Sequence, residues 1–468
     1  MMNRRGFLWS ASALGTLFAL PKRLLAATLG YPRLLQGPMV GATTPDSVTI
    51  WSRATGVFDV AVDYATNRDF SDAKTTTPVR ADPANDLTTR ITIPGLKPDT
   101  EYFYRIRTDG IGDRNQPLPF RVRTAPADRR PLRIAFGSCA RVQLDAVQPV
   151  FEAIRQMEPD LFLWLGDNIY ADSDTEAAFT DLYARQRSVA SLQPLLRSVP
   201  QLAIWDDHDF GFNDSDGTSP VKPMTLKLFD RWWANPAGGT ADTPGVFFRY
   251  SFGPVDIFML DGRYHRDPPK VPNGPAKTML GAGQKAWLKR ELKASKAVFK
   301  ILASSTGWSR AESGGDSWAM YLDERDEILN FIRDNRITGC FGISGDVHMG
   351  EMNCVPWGDK GSYDFYDLVS SGLAQMLNPR FVDQTPEVRL RAPWVGSANF
   401  GILDFRFDPE PVVEMSVRNV LGGAVWDPVV VKAADLVNGR STWRTAIDRK
   451  ELERRERAGR GGGYYESK

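Results

Sequence analysis

The sequence predicts two folded domains of different class, an all-β sandwich followed by a larger α/β domain. The chain has 468 residues, which is too long for one ordinary domain. From about residue 38 to 124, short segments alternate apolar and polar residues between turn-forming residues, as antiparallel strands do. Residues 124–131 are predicted to be a linker, and after them strand-like apolar runs alternate with helical patterns. That alternation favours a mostly parallel sheet flanked by helices.

The composition is that of an ordinary folded protein and excludes several classes. Hydrophobic residues make up 42% and charged residues 25% of the chain. The net charge of +1 gives no general argument for binding nucleic acid or an anionic membrane surface. Three cysteines do not define a disulfide framework. The three histidines are informative because two of them, His208 and His348, fall in Asp-containing loops that follow predicted strands.

Residues 1–27 are predicted to be an export signal rather than part of the fold. Arg4 and Arg5 precede Phe7 and an apolar run that extends to residue 20, and small residues follow. The paired arginines resemble a twin-arginine signal, which carries folded proteins across a membrane, and export by this route favours a cofactor loaded beforehand. Cleavage is expected near residue 26 or 27. An uncleaved anchor is the alternative, although the apolar run is shorter than the ~20 residues that span a bilayer.

The first folded domain is predicted at residues 35–125. Strand patterns cover residues 47–52, 58–64 and 89–93. Residues 96–106 resemble the part of fibronectin type III domains where a tyrosine near a strand start bonds back at a sheet corner. This domain contains no cluster of ionisable residues, so we expect structural support or positioning of the substrate edge, with independent ligand binding as the alternative.

The second domain is predicted at residues 131–440, and a charged tail at 441–468. Its predicted strands cover residues 132–136, 161–165, 201–205, 245–252, 255–260, 298–303, 338–344, 365–370, 401–407 and 412–417, and its predicted helices cover residues 146–157, 176–197, 284–294 and 324–335. The tail is predicted to be a charged helix, residues 448–457, followed by Gly-rich sequence in a solvated end. A helix that covers the functional site is the alternative.

Four loops that follow predicted strands carry the reactive side chains. They are Gly-Ser-Cys at 137–139, Gly-Asp-Asn-Ile-Tyr at 166–170, Asp-Asp-His-Asp at 206–209 and Gly-Asp-Val-His at 345–348. The ends of parallel strands meet at one edge of a sheet, so these groups can converge. So many acids in one cleft require compensating cations, which indicates a metal centre. Taken singly, each residue has a structural interpretation: a helix cap for Asp167 or Asp207, a small buried side chain for Cys139, and a packed ring for Tyr170 or His348.

Together the four motifs resemble the calcineurin-like metallophosphoesterases, and within them the PhoD-type alkaline phosphatases. In that branch Gly-Ser-Cys, Gly-Asp-Asn-Ile-Tyr, Asp-Asp-His-Asp and Gly-Asp-Val-His stand in place of the general family's motifs. The fibronectin-like first domain and the paired arginines are similar as well, so the resemblance covers nearly the whole chain. It implies a four-layer α/β/β/α metallophosphoesterase domain.

The resemblance also implies a ligand set. Asp167 corresponds to the carboxylate that bridges two metal positions. Cys139, Tyr170 and His348 complete an iron-like position, because thiolate and phenolate favour ferric iron. The second, calcium-like position is assigned to Asp207, Asp346 and Asn213.

Two further residues are implied to act on the substrate. His208 is expected to donate a proton to the leaving alkoxide or to stabilise phosphoryl oxygens. The alternative is a structural role, in which His208 only holds a neighbouring aspartate in place. Arg263, in a Leu-Asp-x-Arg segment, is expected to grip phosphate, and Arg266 and Arg141 are weaker candidates. Asn168 departs from the pattern, because the family often has an aromatic residue there.

The resemblance therefore implies an exported phosphoesterase that hydrolyses phosphate mono- or diesters by in-line attack of a metal-activated oxygen. Ferric iron and calcium are the expected cofactors, and manganese, magnesium and zinc are alternatives. The expected partners are a phosphate ester and the twin-arginine export machinery, without sequence-specific nucleic acid binding or a stable membrane span in the mature protein. The expected location is the periplasm or the extracellular space. The alternative is an exported binding or adhesion protein with a structural metal site.

Overall fold

The structure, a computed structural model, describes residues 31–112, 119–309, 316–379, 382 and 388–457. The predicted export signal at 1–27 and the end of the tail at 458–468 lie outside the described residues. In the part of the chain that is described, no helix is long and apolar enough to cross a membrane.

The first domain consists of two antiparallel sheets, as the alternating pattern predicted. Its strands are β1 (Leu34–Thr43), β2 (Ser47–Ala54), β3 (Asp59–Ala65), β4 (Lys74–Thr75), β5 (Val79–Arg80), β6 (Thr88–Pro94), β7 (Glu101–Thr108), β8 (Ile111–Gly112) and β9 (Phe120–Arg123). One sheet has the order β1-β2-β6, and the other is built around β3 and β7. The Lys97 backbone N–H donates to the Tyr102 hydroxyl at 2.9 Å, which confirms the predicted tyrosine bond at the sheet corner.

The second domain contains two further sheets. Its strands are β10 (Leu132–Gly137), β11 (Leu161–Leu165), β12 (Gln201–Ile204), β13 (Phe248–Phe252), β14 (Val255–Met259), β15 (Phe299–Ala303), β16 (Cys340–Ser344), β17 (Gly350–Val355), β18 (Phe365–Ser370), β19 (Val388–Arg389), β20 (Asn399–Arg406), β21 (Val412–Asn419) and β22 (Val429–Lys432). One sheet has the order β12-β11-β10-β20-β21-β22, and the other has the order β13-β14-β15-β16-β18-β17-β19.

Eight α-helices accompany these strands in the described residues. They are α1 (Val150–Gln156), α2 (Glu176–Gln186), α3 (Gln193–Ser198), α4 (Asp207–Phe210), α5 (Lys222–Trp232), α6 (Gly281–Ala294), α7 (Leu322–Asp334) and α8 (Arg449–Arg457). The predicted helix at 176–197 is thus two helices, and Pro194 occupies the first turn of the second.

The two sheets of the second domain pack face to face, with helices outside them. Phe299 on β15 lies 5.4 Å from Phe405 on β20 between ring centroids, so aromatic side chains fill the space between the sheets. Phe151 on α1 packs against Trp164 on β11 at 5.4 Å, and Trp287 on α6 packs against Phe258 on β14 at 6.4 Å. The order of layers is α/β/β/α, which confirms the predicted fold class.

Strand register brings the reactive loops to one edge. In the first sheet Gly137 pairs with Trp164, and Leu165 pairs with Ile204, so β10, β11 and β12 end together. In the second sheet Ser344 pairs with Val369. The two edges meet where the Asp346 backbone N–H donates to the Ser138 hydroxyl at 3.2 Å.

Strand β17 was not predicted, because its sequence does not look like a buried strand. Glu351 and Asn353 lie in its centre and are 1% and 0% exposed. An ion pair between Glu351 and Arg389 compensates the buried carboxylate, and Asn353 donates to Glu351 at 3.0 Å. The compensating arginine is distant in sequence, so the pattern of β17 alone cannot reveal the strand.

The predicted solvated tail is wrong for its first part. Helix α8 is anchored through Glu451, which is fully buried and accepts hydrogen bonds from Arg454 at 2.7 Å and Arg455 at 3.1 Å. Arg455 also donates to the Arg389 carbonyl at 2.5 Å. The charged pattern therefore contains one buried ionic cluster rather than a uniformly solvated face.

A buried carboxylate in the first domain gives a test of this fold. Asp63 is 1% exposed, and its Oδ2 accepts from Arg105 Nε at 2.8 Å and Arg107 Nε at 2.6 Å. Burial alone would raise the pKa of Asp63, but the hydrogen bonds from Arg105, Arg107 and Thr75 bring it below its ordinary value.

We expect Asp63→Asn to lower the free energy of unfolding by about 1–3 kcal/mol at neutral pH, because hydrogen bonds to an ionised group are lost. A carboxyl group whose pKa is lower in the folded state stabilises the fold above its unfolded pKa. That contribution disappears as pH falls through the folded value. The difference from wild type should therefore begin to shrink below about pH 4 in calorimetric unfolding scans and be lost once pH has fallen through the lowered pKa of folded Asp63. The exposed Asp128→Asn serves as the control, and a difference that does not shrink as pH falls below about 4 would contradict the role of the Asp63 charge.

Candidate metal centre

Four of the predicted ligands adopt a backbone conformation that is unusual for their residue type. The φ angles are +63° at Cys139, +51° at Asp167, +69° at Asp346 and +55° at His348. Non-glycine residues rarely adopt the left-handed region, and clusters of such residues occur at functional sites. Sharp turns at the strand ends thus aim these side chains toward one point.

Two glycines permit these turns. Gly166 has φ +104°, and a Cβ there would lie 2.6 Å from the Asp206 Cβ. A Cβ on Gly345 would lie 2.4 Å from the Ser138 hydroxyl. Larger residues at either position would separate the loops that the site requires.

Asp167 lies at the centre of the cluster. Its Oδ2 accepts from the Tyr170 hydroxyl at 2.9 Å and lies 3.4 Å from the Cys139 sulfur. Its Oδ1 is 3.4 Å from the His208 backbone nitrogen. The two carboxylate oxygens therefore face two different groups of residues, as a bridging ligand requires.

On one side of Asp167 lie the residues assigned to the iron-like position. One potential ligand atom from each of Cys139, Asp167 and His348 lies within 4.8 Å of the others. The Tyr170 hydroxyl is 3.3 Å from His348 Nε2, which adds a phenol to the group. The structure thus brings together all four predicted residues.

On the other side, potential ligand atoms of Asp167, Asp207 and His208 also lie within 4.8 Å of one another. A further group joins Asp207 to Asp214 and Asp316. Asn213, predicted for this side, and its neighbour Asp214 are both exposed, and a carboxylate oxygen of Asp214 lies within 4.8 Å of one of Asp207. Asn213 as a ligand remains a prediction, and Asp214 becomes a second candidate.

Asp346 is close to the centre without belonging to these groups of three. The Cys139 thiol lies 3.8 Å from the Asp346 carbonyl oxygen. Burial and the charges of Asp206, Asp316 and Asp207 raise the pKa of the Asp346 side chain well above its ordinary value. Its role as a ligand also remains a prediction.

The electrostatics of the cluster fit a cation. Burial raises the pKa of Asp167 well above its ordinary value, and the charges of Asp207, Asp206 and Asp209 raise it further. Burial, followed by the charge of Asp167, likewise raises the pKa of Cys139 and of Tyr170. Thiolate, phenolate and carboxylates cannot all be ionised here unless a positive charge lies between them. The donor set is therefore suited to a metal ion.

Arg263 was expected to bind phosphate, but in the structure its guanidinium is already paired with carboxylates. Its side chain is fully buried, and its Nε donates to Asp206 Oδ1 at 2.6 Å. The same guanidinium pairs with Asp316, which also pairs with Arg266. Both arginines are thus held by carboxylates, and gripping phosphate would require Arg263 to change partners.

Arg141 is a cation that lies beside the Tyr170 ring. It is half-buried, its Cζ lies 5.3 Å from the centre of the Tyr170 ring, and it pairs with no carboxylate of the described residues. Its charge contributes, after burial and together with His208, to lowering the pKa of His348 to about 4. A neutral imidazole is the form that binds a metal.

Sequence reasoning gave no role to three members of the site, although two of them lie in the Asp-Asp-His-Asp motif. Asp206 is buried and bonded to Arg263, and its Oδ2 has no hydrogen-bond partner within the described residues. The Ser371 hydroxyl donates to the Cys139 sulfur at 3.1 Å. Asp209 accepts from the Asn168 backbone at 3.1 Å and the Asp206 backbone at 2.6 Å. Only the acidic run at 206–209 could have suggested the roles of Asp206 and Asp209.

Two family models match this chain. A family model described as PhoD-like phosphatase matches residues 134–377, more than half of the chain. The model of the PhoD-like phosphatase N-terminal domain matches residues 20–126.

Two curated relatives are similar over part of the chain. Alkaline phosphatase D of Bacillus subtilis is 24% identical over 308 residues, which cover 54% of this chain and 52% of that protein. Purple acid phosphatase 23 of Arabidopsis thaliana is 21% identical over 285 residues and covers 57% of each chain. The chain thus spans between half and three-fifths of the length of these relatives.

Two solved structures share the fold. The structure of PhoD superposes with a TM-score of 0.72 at 17% identity, covering 88% of this chain and 93% of that one. The purple acid phosphatase PPD1 from yellow lupin superposes with a TM-score of 0.62 at 14% identity, covering 90% of this chain and 75% of that one.

The buried carboxylate of Asp167 should lower the stability of the metal-free protein and raise its affinity for metal. We expect Asp167→Asn to raise the midpoint of thermal unfolding of chelator-treated protein by about 2–6 °C, because a repelled buried carboxylate is removed. Adding divalent cations should stabilise wild type more than this variant.

Scanning calorimetry with and without metal measures both effects. Asp174→Asn, an exposed change in a nearby loop, should behave as wild type in both conditions. A lower midpoint for metal-free Asp167→Asn together with an unchanged response to metal would contradict this account.

Proposed function

Since the chain belongs to the PhoD-like phosphatase family, we propose that it is a metal-dependent phosphoesterase that hydrolyses phosphate mono- or diesters. The proposal rests mainly on the arrangement of side chains around Asp167. Asp167 lies between a thiol–phenol–imidazole group and a carboxylate group, and His208 stands beside both. A site with only a structural metal has no need of an imidazole at its margin.

The proposed metal ligands are Cys139, Asp167, Tyr170 and His348 for one ion. For the second they are Asp167, Asp207 and Asp346, with Asp214 or Asn213. When bound, the ions would supply positive charge for the phosphoryl oxygens and lower the pKa of water. The chain's own residues then orient the ester and move a proton at the leaving-group oxygen.

We propose His208 for the proton and Arg141 for the charge of the ester. Burial tends to lower the pKa of His208, but its bond to Asp172 and the charges of Asp207 and Asp206 raise it above its ordinary value. The imidazole therefore retains its proton more readily than in water. Arg141 offers a guanidinium that no described carboxylate neutralises, whereas Arg263 holds Asp206 and Asp316 in place.

Ferric iron and calcium are the proposed cofactors, with manganese, magnesium or zinc as substitutes. Tyr170 and Cys139 support iron at the first position, because anionic phenolate and thiolate favour it. Carboxylates supply the second position with the oxygen ligands that calcium prefers.

Export through the twin-arginine machinery to the periplasm or extracellular space is proposed from residues 1–27. The proposed domain limits are 35–125 and 131–440, with a C-terminal segment at 441–468. These proposals rest on the sequence patterns described above.

Hydrolysis of nitrophenyl phosphate and bis-nitrophenyl phosphate tests the activity. We expect turnover that chelator treatment removes and added metal restores, because the buried carboxylates need a cation. Asp167→Asn should lose more than about 100-fold in kcat/KM. Arg141→Ala should raise KM about tenfold, because a charged hydrogen-bond donor to the ester is lost.

The control variant is Asp174→Asn, which should retain wild-type kinetics. Metal binding without turnover of either ester, with every divalent or ferric ion tested, would favour the alternative of a binding or adhesion protein with a structural metal site.

A visible spectrum with elemental analysis tests the metal assignment. We expect iron and an alkaline-earth ion, and an absorption band from charge transfer between tyrosinate and ferric iron. Tyr170→Phe should lose this band, whereas Tyr64→Phe, in the first domain, should keep it. A colourless and iron-free protein with full activity would overturn the roles of Tyr170 and Cys139.

A further inference from the structure

Arg187 is a buried cation without a carboxylate partner in the described part of the chain. It follows helix α2 directly, and its side chain is fully buried. Nη2 donates to the Trp232 carbonyl at 3.1 Å. Nε and Nη1 are enclosed as well, but no described residue accepts their hydrogens. Two N–H groups of a charged side chain are therefore left for another acceptor.

Aromatic side chains surround the guanidinium. Its Cζ lies 3.9 Å from the centre of the Trp233 ring and 6.0 Å from that of Trp51. Trp51 and Tyr183 each pack against Trp232, at 5.4 Å and 5.6 Å between ring centroids. Trp51 lies on β2 of the first domain, whereas the other three rings lie on or next to α2 and α5 of the second. These four residues, which we call the aromatic cage, thus join the two domains around Arg187.

The aromatic cage supplies hydrogen-bond donors rather than acceptors. The Tyr183 hydroxyl and the indole N–H groups of Trp232 and Trp233 are buried and have no partner of good geometry among the described residues. Burial raises the pKa of Tyr183 well above its ordinary value, and the charge of Asp209 raises it further. Arg187 and the Trp233 indole lower this pKa, so both lie near the hydroxyl. An indole N–H only donates, which leaves the hydroxyl oxygen as the acceptor of this set.

The charge of Arg187 is not balanced by these surroundings. Burial lowers its pKa to about 9, which still leaves the guanidinium charged at neutral pH. The Trp232 carbonyl lies at the end of helix α5, where the helix dipole contributes only a partial negative charge. Ring faces attract a cation more weakly than a full negative charge does. A countercharge beside the guanidinium is therefore favourable.

Two acidic residues lie near the aromatic cage, and both have other partners. Asp86 pairs at 2.7 Å with Arg53, which lies over one of the rings of the cage. The Asn168 backbone N–H donates to Asp209 at 3.1 Å. The contacts of Arg187 with described residues include neither carboxylate. A bound anion can supply the countercharge that these residues do not.

The donor-rich surroundings favour an anion over water. A water molecule needs acceptors for its own hydrogens, and the groups around Arg187 offer mainly N–H donors. An anion accepts hydrogen bonds from several donors at once and also balances the charge. Enclosure by aromatic rings favours a small monovalent ion, because burying a larger charge costs more hydration free energy.

We propose that Arg187 and the aromatic cage bind a small monovalent anion, with the size and charge of chloride, which stabilises the contact between the two domains. The site is separate from the metal centre. This inference goes beyond the proposed phosphoesterase function and does not depend on it.

The first test measures thermal unfolding of the full chain in sodium chloride and in sodium gluconate at equal ionic strength and equal metal concentration. Gluconate is too large for the cage and serves as the reference anion. We expect chloride to raise the midpoint along a saturating curve by about 2–4 °C, because it binds the folded state alone. Sodium bromide should act in the same way.

A pair of variants assigns this effect to one side chain. Arg187→Met removes the charge and keeps an unbranched apolar stem, so the midpoint should no longer depend on chloride. Arg185→Met, on the same helix, is the matched control, because Arg185 is exposed. This control should keep the full chloride effect.

A third measurement uses the wild-type protein and so does not depend on the folding of a variant. Crystals soaked in sodium bromide should show anomalous scattering from an ion beside Nε and Nη1 of Arg187. Water in the same place would give no anomalous signal.

Four results would overturn the proposal. The first is an equal midpoint in chloride and gluconate, and the second is a chloride effect of the same size in Arg187→Met. The third is an absence of anomalous signal at Arg187 in crystals that show bromide elsewhere. The fourth is stabilisation by sodium phosphate that exceeds that of chloride and disappears in Arg187→Met, because the site would then bind a larger anion.

Discussion

The burial of negative charge at one edge of two packed sheets is the constraint on which the site depends. Asp167 and Asp207 are 1% and 5% exposed, Asp346 is half-buried, and Cys139 and Tyr170 lie against Asp167. Ionised groups in such surroundings repel one another and lose hydration, so this arrangement is unfavourable in the protein alone. Its strained backbone adds to the cost. A cation at the centre offsets both terms, which is why the geometry favours a metal-dependent function.

The protein neutralises its acidic residues in different ways. Asp206 and Asp316 pair with Arg263, and Asp316 also pairs with Arg266, so two cations balance the two carboxylates. Burial raises the pKa of Asp209 to about 8, and this carboxyl group is therefore mostly protonated at neutral pH. Asp167 has no arginine partner among the described ion pairs, and burial and neighbouring charges raise its pKa well above its ordinary value, so its ionised form needs a cation such as a metal ion. Arg263 is thus better understood as a fixed internal counter-charge.

The first domain supports this edge indirectly. The Trp51 indole N–H donates to the Arg231 carbonyl at 2.9 Å, at the end of helix α5, and its ring lies 5.4 Å from that of Trp232. One turn earlier, Phe229 packs against Trp205 at 5.4 Å, immediately before Asp206. Packing therefore runs continuously from the β-sandwich to the third reactive loop. Structural support, one of the two roles expected from the sequence, has a direct physical basis in these contacts.

The sequence predicted those parts of the molecule that depend on local pattern. Apolar runs that end in Gly-Ser-Cys or Gly-Asp identify buried strands and the loops after them, and the structure brings Cys139, Asp167, Tyr170 and His348 together. The sequence did not predict ion-pair partners that lie far apart along the chain, such as Asp316 for Arg263 or Arg389 for Glu351. Asp214, one position after the predicted Asn213, has a positive φ of +59° and brings a carboxylate near Asp207. Motifs thus identify which residue types are available for chemistry. Their charge states, partners and orientations depend on tertiary contacts that the sequence does not show. Asp172 illustrates the difference, because it has the appearance of an ordinary loop aspartate in the sequence and only the structure shows its 2.6 Å contact with His208.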